Sequence, residues 1–247
     1  MKTITSTQNS YIKELRSLKN KKGRKGGLFL CEGEKCAMEA LIYADTEALI
    51  ITEGHEDIAQ YAEDKGIDVY LVSDSVMESV SDTKSQQGII AVVRKKEHAL
   101  PCPSGLFVAL EDVADPQNVG TIIRTADAAG AACILLSSKC ADYTSPKAVR
   151  AAMGSIFHLP IVICNNLLDV LKQFKDAGMA IVGTHLKGRE QLTKNKNAVI
   201  IIGSEARGMS AEASEICSQL YKIPMRGKAE SLNAAVAAGI VIYKIAD

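Results

Sequence analysis

The fold of the chain is decided by the stretch Ala198-Val-Ile-Ile-Ile-Gly-Ser-Glu-Ala-Arg-Gly-Met-Ser210. Its first five residues are apolar and mostly β-branched, and a glycine follows them, which predicts a buried strand of a parallel sheet. In an α/β domain, the loop that leaves such a strand commonly binds a ligand. We therefore expect a binding site between Gly203 and Ser210.

The spacing of this loop also invites comparison with a phosphate-binding loop. Gly203 and Gly208 bracket four residues and Ser210 follows, as in the pattern G-x-x-x-x-G-K-[ST]. The lysine of that pattern is replaced by Met209, and Glu205 would place a carboxylate among the backbone N–H groups that hold phosphate. The loop therefore disfavours a nucleoside triphosphate and suits a neutral or cationic ligand.

A predicted helix of small residues lies near the C-terminal end of the sequence. It follows Ser231-Leu-Asn233 and should end near Ala246, with Ser231 as a natural N-cap. Its apolar run is too short to span a bilayer. One face would let another backbone approach closely, from the same chain or from a second subunit, and it carries Ala234, Ala235, Ala238, Gly239 and Ile242.

Composition and charge bound the class of protein. A chain of 247 residues is expected to form one or two domains. Basic and acidic residues both number 29, so the net charge gives no indication of nucleic-acid binding. The distribution of charge does, because seven basic residues lie between Lys13 and Lys25 with Glu14 as the only acid among them. Such a run is either a solvated face or a phosphate-binding surface.

The cysteines and histidines predict neither disulfides nor a metal site. The seven cysteines contain no C-x-x-C pair, and the four histidines have no metal-ligand spacing. The residues from Met1 to Ser6 are polar and do not resemble a secretory segment. We expect a reduced, cytoplasmic protein with buried thiols and no membrane or metal partner.

Patterning divides the chain into two α/β units. Residues 1–25 predict a basic helical arm, and from Leu28 to Val93 short apolar strands alternate with acidic helices. Charge, proline and glycine dominate Arg94–Gly105, so we place an interdomain linker at residues 98–105. The predicted domains are residues 1–97 and 106–247, and strands alternating with helices give the second domain a mostly parallel sheet.

A helix with an unusual polar face is predicted after the first strand of the second domain. Asp115-Pro116 is a cap followed by an N1 proline, so the helix should run to about Ala129 and stop at Gly130. Its polar face is either ordinary solvated surface or a clamp for phosphate or ribose. That face carries Gln117, Asn118, Thr121 and Arg124.

A second helix start carries two bases. Ser145-Pro-Lys-Ala-Val-Arg150 again combines a cap with an N1 proline. The dipole of this helix, together with Lys147 and Arg150, could meet a phosphate group.

Three blocks of the sequence resemble the signature motifs of one enzyme family. They are Asn118-Val-Gly-Thr-Ile-Ile-Arg124, Ile202-Gly-Ser-Glu-Ala-Arg-Gly-Met-Ser210, and Ile223-Pro-Met-Arg-Gly-Lys-Ala-Glu-Ser-Leu-Asn-Ala-Ala-Val-Ala-Ala238. The family is that of the SpoU (TrmH-type) RNA 2′-O-ribose methyltransferases of the SPOUT superfamily, and Tyr143–Pro160 is similar to it as well. Residues 5–95 resemble the substrate-binding domain often fused ahead of it, which is similar to ribosomal proteins that bind kinked RNA.

The resemblance implies a trefoil knot in the second domain, a homodimer, and S-adenosylmethionine as cofactor. Transferred position by position, the cofactor contacts fall on Gly203, Ile223 and Leu232, with Thr184, Met225 and Gly208. The functional polar residues fall on Asn118, Arg124, Glu205, Ser231 and Asn233. The sequence departs from many members at Ser204 and Ala206, where they have Asn and Gly. RNA contacts are expected from the basic residues Lys13, Arg16, Lys19, Lys21, Lys22, Arg24, Lys25, Lys147 and Arg150.

We therefore expect S-adenosylmethionine-dependent 2′-O-ribose methylation of RNA, with large-subunit ribosomal RNA favoured as substrate. Transfer RNA is the alternative within the same chemistry. A non-catalytic RNA-binding protein that retains the fold is the alternative from another class. The retained residues Asn118, Arg124, Glu205 and Asn233 argue against the last of these.

Overall fold

A computed structural model describes residues 1–246, which fall into two compact units. The first unit contains Met1–Lys96 and Asp142–Phe157, and the second contains Glu97–Ala141 and the residues from His158 onward. This division differs from the continuous domains inferred from the sequence. Residues 142–157 join the first unit because Phe157 stacks on Phe29 with ring centroids 6.3 Å apart and Arg150 pairs with Asp82 over 2.7 Å.

Strands and helices alternate along the described residues. Numbered in chain order, strands β1 to β11 are Lys2–Ile4, Leu28–Glu32, Thr46–Ile51, Asp68–Val72, Ile89–Arg94, Leu106–Leu110, Cys133–Ser137, Ile161–Cys164, Ala180–Arg189, Ala198–Ile202 and Gln219–Tyr221. Helices α1 to α9 are Ser10–Ser17, Glu34–Tyr43, Glu56–Asp64, Asp74–Val80, Pro116–Ala128, Pro146–Ala152, Leu167–Asp176, Ala211–Ile216 and Ala234–Ala246. Two 3-10 turns lie at Gly23–Gly26 and Ser155–Phe157.

The first unit is built on a mixed five-stranded sheet in the order β1-β4-β3-β5-β2, with β5 antiparallel to both of its neighbours. The predicted strands and helices from Leu28 to Val93 are confirmed. The prediction of a helical arm over residues 1–25 is wrong in part, because Lys2–Ile4 pairs with β4 as an edge strand and only Ser10–Ser17 is α-helical. The apolar stripe of α1 is confirmed, since Ile12, Leu15 and Leu18 are buried in the core.

The second unit is a six-stranded parallel sheet in the order β11-β9-β10-β6-β7-β8, which confirms the predicted α/β class. Every residue of β6 and β10 is buried, as the apolar runs require. These two strands pair in register from Leu106↔Ala198 to Leu110↔Ile202, so their carboxyl ends lie together at the point where the strand order reverses. Helix α8 and strand β11 were not predicted. The knot implied by the resemblance stays a prediction.

Helices α5 and α9 pack against each other, and the small residues of α9 allow this. Ala234, Ala235, Ala238 and Ile242 are buried, and a β-carbon at Gly239 would lie 3.7 Å from the methyl group of Thr125. The close backbone approach predicted for this face therefore occurs within the same chain. No helix within residues 1–246 combines the length and the apolar character needed to cross a membrane.

Candidate functional site

The loop after β10 is held in place by the side chain of Glu205. One carboxylate oxygen accepts hydrogen bonds from the backbone N–H of Asp115 at 3.3 Å and from the side-chain amide of Asn118 at 2.8 Å. The other accepts from the backbone N–H of Ala114 at 3.1 Å. The carboxylate thereby ties the loop to the two residues that precede α5 and to a side chain in the first turn of that helix.

The predicted polar residues of the three motifs form one hydrogen-bonded chain. The amide of Asn233 donates to the side-chain oxygen of Asn118 at 3.0 Å, and Asn118 donates to Glu205. The oxygen of Asn233 accepts from the N–H groups of Ala235 and Val236, which makes Asn233 the cap of α9. Three motifs that are distant in sequence are thus joined at the carboxyl edge of the sheet.

The prediction that Ser231 caps this helix is wrong. Helix α9 begins at Ala234, and the capping hydrogen bonds come from Asn233. Ser231 is exposed and lies outside the helix.

Glu205 is ionised over a wide pH range because of its donors. Burial alone would raise the pKa of its carboxyl group. The hydrogen bonds from Asn118, from its own backbone and from the N–H groups of Ala114 and Asp115 outweigh burial and lower that pKa below its ordinary value. The loop therefore carries a fixed negative charge, as expected for a site that takes a neutral or cationic ligand.

Glu111 is a second carboxylate at this edge, and the sequence analysis missed it. Its backbone N–H donates to Ile202 at 2.9 Å, and its carboxylate accepts from the backbone N–H and the hydroxyl of Ser210 at 2.9 and 2.6 Å. Glu111 thus fixes the first and the last residue flanking the loop, while Glu205 fixes its middle. Its position directly after the buried strand β6 is the signal that could have identified it.

Two glycines give the loop its shape. Ser204 and Gly208 exchange backbone hydrogen bonds at 2.8 and 3.1 Å, and Gly208 adopts φ +70°. A β-carbon at Gly203 would lie 2.3 Å from the backbone of Gly208 and Met209, so only glycine fits there. Ala206, where many family members have glycine, is exposed.

Arg124 is positioned to meet a ligand that comes from solvent. It lies on the exposed side of α5, two turns after Pro116-Gln117, while Ile122, Ile123 and Ala126 face the core. Its guanidinium makes no hydrogen bond or ion pair within the described residues 1–246. All five of its N–H donors are therefore available for a phosphate or a developing oxyanion.

The residues predicted to hold the cofactor border a loop with free backbone groups. Ile223 and Met225 are half-buried, Leu232 is exposed, and Gly208 has open space where a side chain would stand. From Ile223 to Leu232, no backbone N–H donates to another backbone carbonyl within residues 1–246. Thr184 differs, since its hydroxyl donates to Ile201 at 3.2 Å. Apolar side chains beside unpaired backbone donors and acceptors fit a ligand with a flat heterocycle, such as adenine.

The basic residues predicted to contact RNA separate into two groups. Lys13, Lys21, Lys22, Lys25 and Lys147 are exposed. Arg16, Lys19, Arg24 and Arg150 are engaged inside the first unit.

Arg24 is held inside the first unit by an ion pair and by backbone carbonyl groups. Its side chain is only 7% exposed, pairs with Asp142 at 2.9 Å and donates to the carbonyl groups of Leu18 and Lys19. Its charge is therefore neutralised within the basic turn, and its contact with RNA stays a prediction.

The metal-ligating side chains and the thiols in the described part of the chain are not arranged as a reactive site. Among residues 1–246, no cluster of three or more His, Cys, Asp or Glu side chains could hold a metal ion. All seven cysteines are free thiols; Cys102 is exposed, contrary to the expectation that the thiols are buried. Burial raises the pKa of Cys133 to about 12 and that of Cys217 to about 11, so these thiols stay protonated.

Comparison with known proteins covers both units. Residues 105–243 match the model of the SpoU rRNA methylase family, and residues 9–91 match the MRM3-like substrate-binding domain. The 23S rRNA (guanosine(2553)-2′-O)-methyltransferase RlmP of Bacillus subtilis is 34% identical over 249 residues, covering 99% of each chain. The AdoMet-bound rRNA methyltransferase from Sinorhizobium meliloti superposes with a TM-score of 0.88 at 32% identity, over 99% of this chain and 97% of that one. The SpoU methyltransferase AviRb from Streptomyces viridochromogenes, in complex with AdoMet, gives 0.83 at 26% identity over 97% of both chains.

Proposed function

The chain belongs to the SpoU rRNA methylase family, and we propose that it methylates the 2′-hydroxyl of one ribose in large-subunit ribosomal RNA, using S-adenosylmethionine. The observation that carries this proposal is the Asn233–Asn118–Glu205 chain, which joins all three motifs in one site. A relative of full matching length acts on 23S rRNA, and this favours ribosomal over transfer RNA. The matched substrate-binding domain supports RNA as the partner.

The loop Ile223–Asn233 and Gly203 would hold the cofactor, largely through backbone groups. Bound there, S-adenosylmethionine would supply an electrophilic methyl group: the ribose 2′-oxygen would take the methyl as it loses its proton, and the S–CH3 bond would break to leave a neutral thioether. The ionised Glu205 fixes the loop geometry, and its hydrogen bond from Asn118 connects the loop to α5. The methyl group and the hydroxyl can thereby be placed in line for transfer. Asn233, as the cap of α9, sets where the loop ends.

Arg124 acts on the RNA side of the reaction in this proposal. A guanidinium stays protonated in proteins, so it is a poor general base. Its free donors suit the phosphate next to the target ribose and the developing alkoxide. The proton then leaves to solvent or to that phosphate.

A homodimer is part of the proposal, and its surface differs from the small-residue face of α9. The small residues of α9 are used inside the chain, whereas Val236, Ile240 and Tyr243 form an exposed apolar stripe at i, i+4 and i+7. An apolar stripe on a helix beside the site suits a second copy of the chain. Seven free thiols support the cytoplasm as the place of action.

The test is methyl transfer from labelled S-adenosylmethionine to ribosomal and transfer RNA isolated from cells that lack the gene, followed by alkaline hydrolysis. Label in an alkali-resistant dinucleotide of large-subunit RNA is expected, because a 2′-O-methyl group blocks cleavage at its own phosphate. Arg124→Ala should abolish most of this label. Label in mononucleotides would mean base methylation, and label only in transfer RNA would overturn the substrate assignment.

A further inference from the structure

The second unit contains a cavity that the proposed methyl transfer leaves unused. It has a volume of about 510 Å³ and lies at the carboxyl ends of β6, β7 and β8, closed on one side by the loop Ser204–Glu212. None of the five polar motif residues lines it, and Gly208 is the only predicted cofactor residue that does. Its volume falls in the range of about 300–1,000 Å³ typical of sites that enclose one small molecule or nucleotide.

Two basic side chains stand at this cavity over one carboxylate. Asp112 adopts φ +57°, and its first carboxylate oxygen accepts from the hydroxyl of Ser137 at 2.8 Å. Its second oxygen lies 3.7 Å from the ammonium of Lys139 and 3.6 Å from the guanidinium of Arg207. Both basic side chains are about three-quarters exposed, at 76% and 75%. Asp112 therefore holds two cations with free donors at one edge of the cavity, and the other charged side chains that line it are the carboxylates of Glu111 and Glu212.

Two other polar side chains of the cavity, Ser138 and Asn165, are free to bind a ligand. Ser138 and Asn165 line the cavity and form no hydrogen bond with another residue in the range 1–246. Glu111 lines it as well, but its carboxylate is occupied by Ser210. An amide offers both a donor and an acceptor, which is the pattern needed to pair with the edge of a base. Leu167 and Met209 supply apolar surface beside these groups.

We propose that this cavity binds one unpaired nucleotide of the RNA substrate, with its phosphate at Lys139 and Arg207 and its base edge at Asn165 and Ser138. Proteins recognise RNA sequence mainly on splayed-out nucleotides, through hydrogen bonds to base edges and stacking on guanidinium planes. Phosphate contacts fix position and base contacts give specificity. The cavity thus selects the nucleotide context of methylation. This inference rests on the proposed function.

The experiment compares Arg207→Ala, Lys139→Ala and Asn165→Ala with the wild-type protein. A matched control is Lys172→Ala, an exposed lysine of α7 in the same unit that does not line the cavity. Binding to large-subunit RNA is measured at several salt concentrations, and S-adenosylmethionine binding is measured separately by calorimetry. Because the tested side chains are exposed, all four variants should fold.

Each phosphate-contact variant should weaken RNA binding and reduce the salt slope by about 1. Asn165→Ala should lower kcat/KM for RNA while the salt slope stays unchanged. The dissociation constant of S-adenosylmethionine should stay within about twofold of wild type, since an intact cofactor site is part of the proposal.

Two results would overturn the inference. Weaker S-adenosylmethionine binding in Arg207→Ala would assign the cavity to the cofactor, and RNA binding equal to that of Lys172→Ala would remove RNA from it. Either result leaves the alkali-resistance test of the wild-type product unaffected, so failure of this inference can be told apart from failure of the proposed function.

Discussion

Asn233 and Asn118, which are 115 positions apart in the chain, share a side-chain hydrogen bond of 3.0 Å. The side-chain amide of Asn118 in turn donates to Glu205, and the oxygen of Asn233 caps α9. The start of α9 and the loop after β10 are therefore both hydrogen-bonded to α5, the helix that carries Arg124. A substitution at Asn118 should therefore affect the loop after β10, the start of α9 and the helix that carries Arg124.

Asn118→Asp tests this connection through charge. The new carboxylate would face Glu205 where an amide now donates at 2.8 Å, and repulsion would raise the pKa of Glu205. We expect kcat/KM to fall at least about tenfold at pH 7.5 and less at pH 5.5, relative to wild type at the same pH. Asn118→Ala removes the hydrogen bonds without adding charge, so the fall in kcat/KM that it causes should not change with pH. Equal pH dependence in the two variants would contradict the argument.

Glu205→Gln should loosen the loop, because one amide oxygen cannot accept from three donors and the amide nitrogen would face N–H groups. The folded-state pKa of Glu205 is lowered, so its stabilising effect is complete above the ordinary value of 4.5 and is lost as pH falls through the lowered value. In urea unfolding, the difference between wild type and variant should be constant from pH 5.5 to 8 and shrink below about pH 4.5. A difference that grows toward acid pH would contradict this.

The local parts of the structure were predictable from sequence because their signals lie in adjacent residues. The run Ala198–Ile202 predicted a buried strand. Asp115 with Pro116 predicted a capped helix start, and the side chain of Asp115 accepts from the N–H of Gln117 at 2.9 Å. Strand β1 was not predictable in this way. It is three residues long, and it becomes a strand only by pairing with β4, from Lys2↔Tyr70 to Ile4↔Val72, far along the chain.

The unpredicted parts of the site depend on partners distant in sequence. Glu111 binds Ser210, 99 positions later, and Arg24 pairs with Asp142, 118 positions later. The cap of α9 shows a subtler limit. Ser231 and Asn233 are both good capping residues, and the hydrogen bond from Asn233 to Asn118 is absent from any local pattern.

Ile240→Asp tests the dimer. Ile240 is 39% exposed at the centre of the apolar stripe on α9, so a charge there should block association with little effect on folding. Light scattering should report a mass near 26.4 kDa for the variant and about twice that for wild type. Ile42→Asp, at a residue 48% exposed on α2, is the matched control and should behave as wild type. A monomeric wild-type protein at micromolar concentration would refute the dimer.

Asp142→Asn tests the ion pair that holds the basic turn. The variant leaves the guanidinium of Arg24 buried without its counter-charge, and we expect the free energy of unfolding to fall by roughly 2–4 kcal/mol at pH 7.

Burial alone would raise the pKa of Asp142, but hydrogen bonds from Thr144 and from Arg24 lower it below 3.8. The stabilisation should therefore be complete above pH 3.8 and disappear as pH falls through the lowered value. Asp68→Asn removes the exposed Lys2–Asp68 pair and should change the stability much less than Asp142→Asn does, because solvent screens an exposed pair. Because Lys21, Lys22 and Lys25 flank Arg24, the Asp142 variant should also bind RNA more weakly, whereas equal effects of the two substitutions would show that the buried pair does not order the turn.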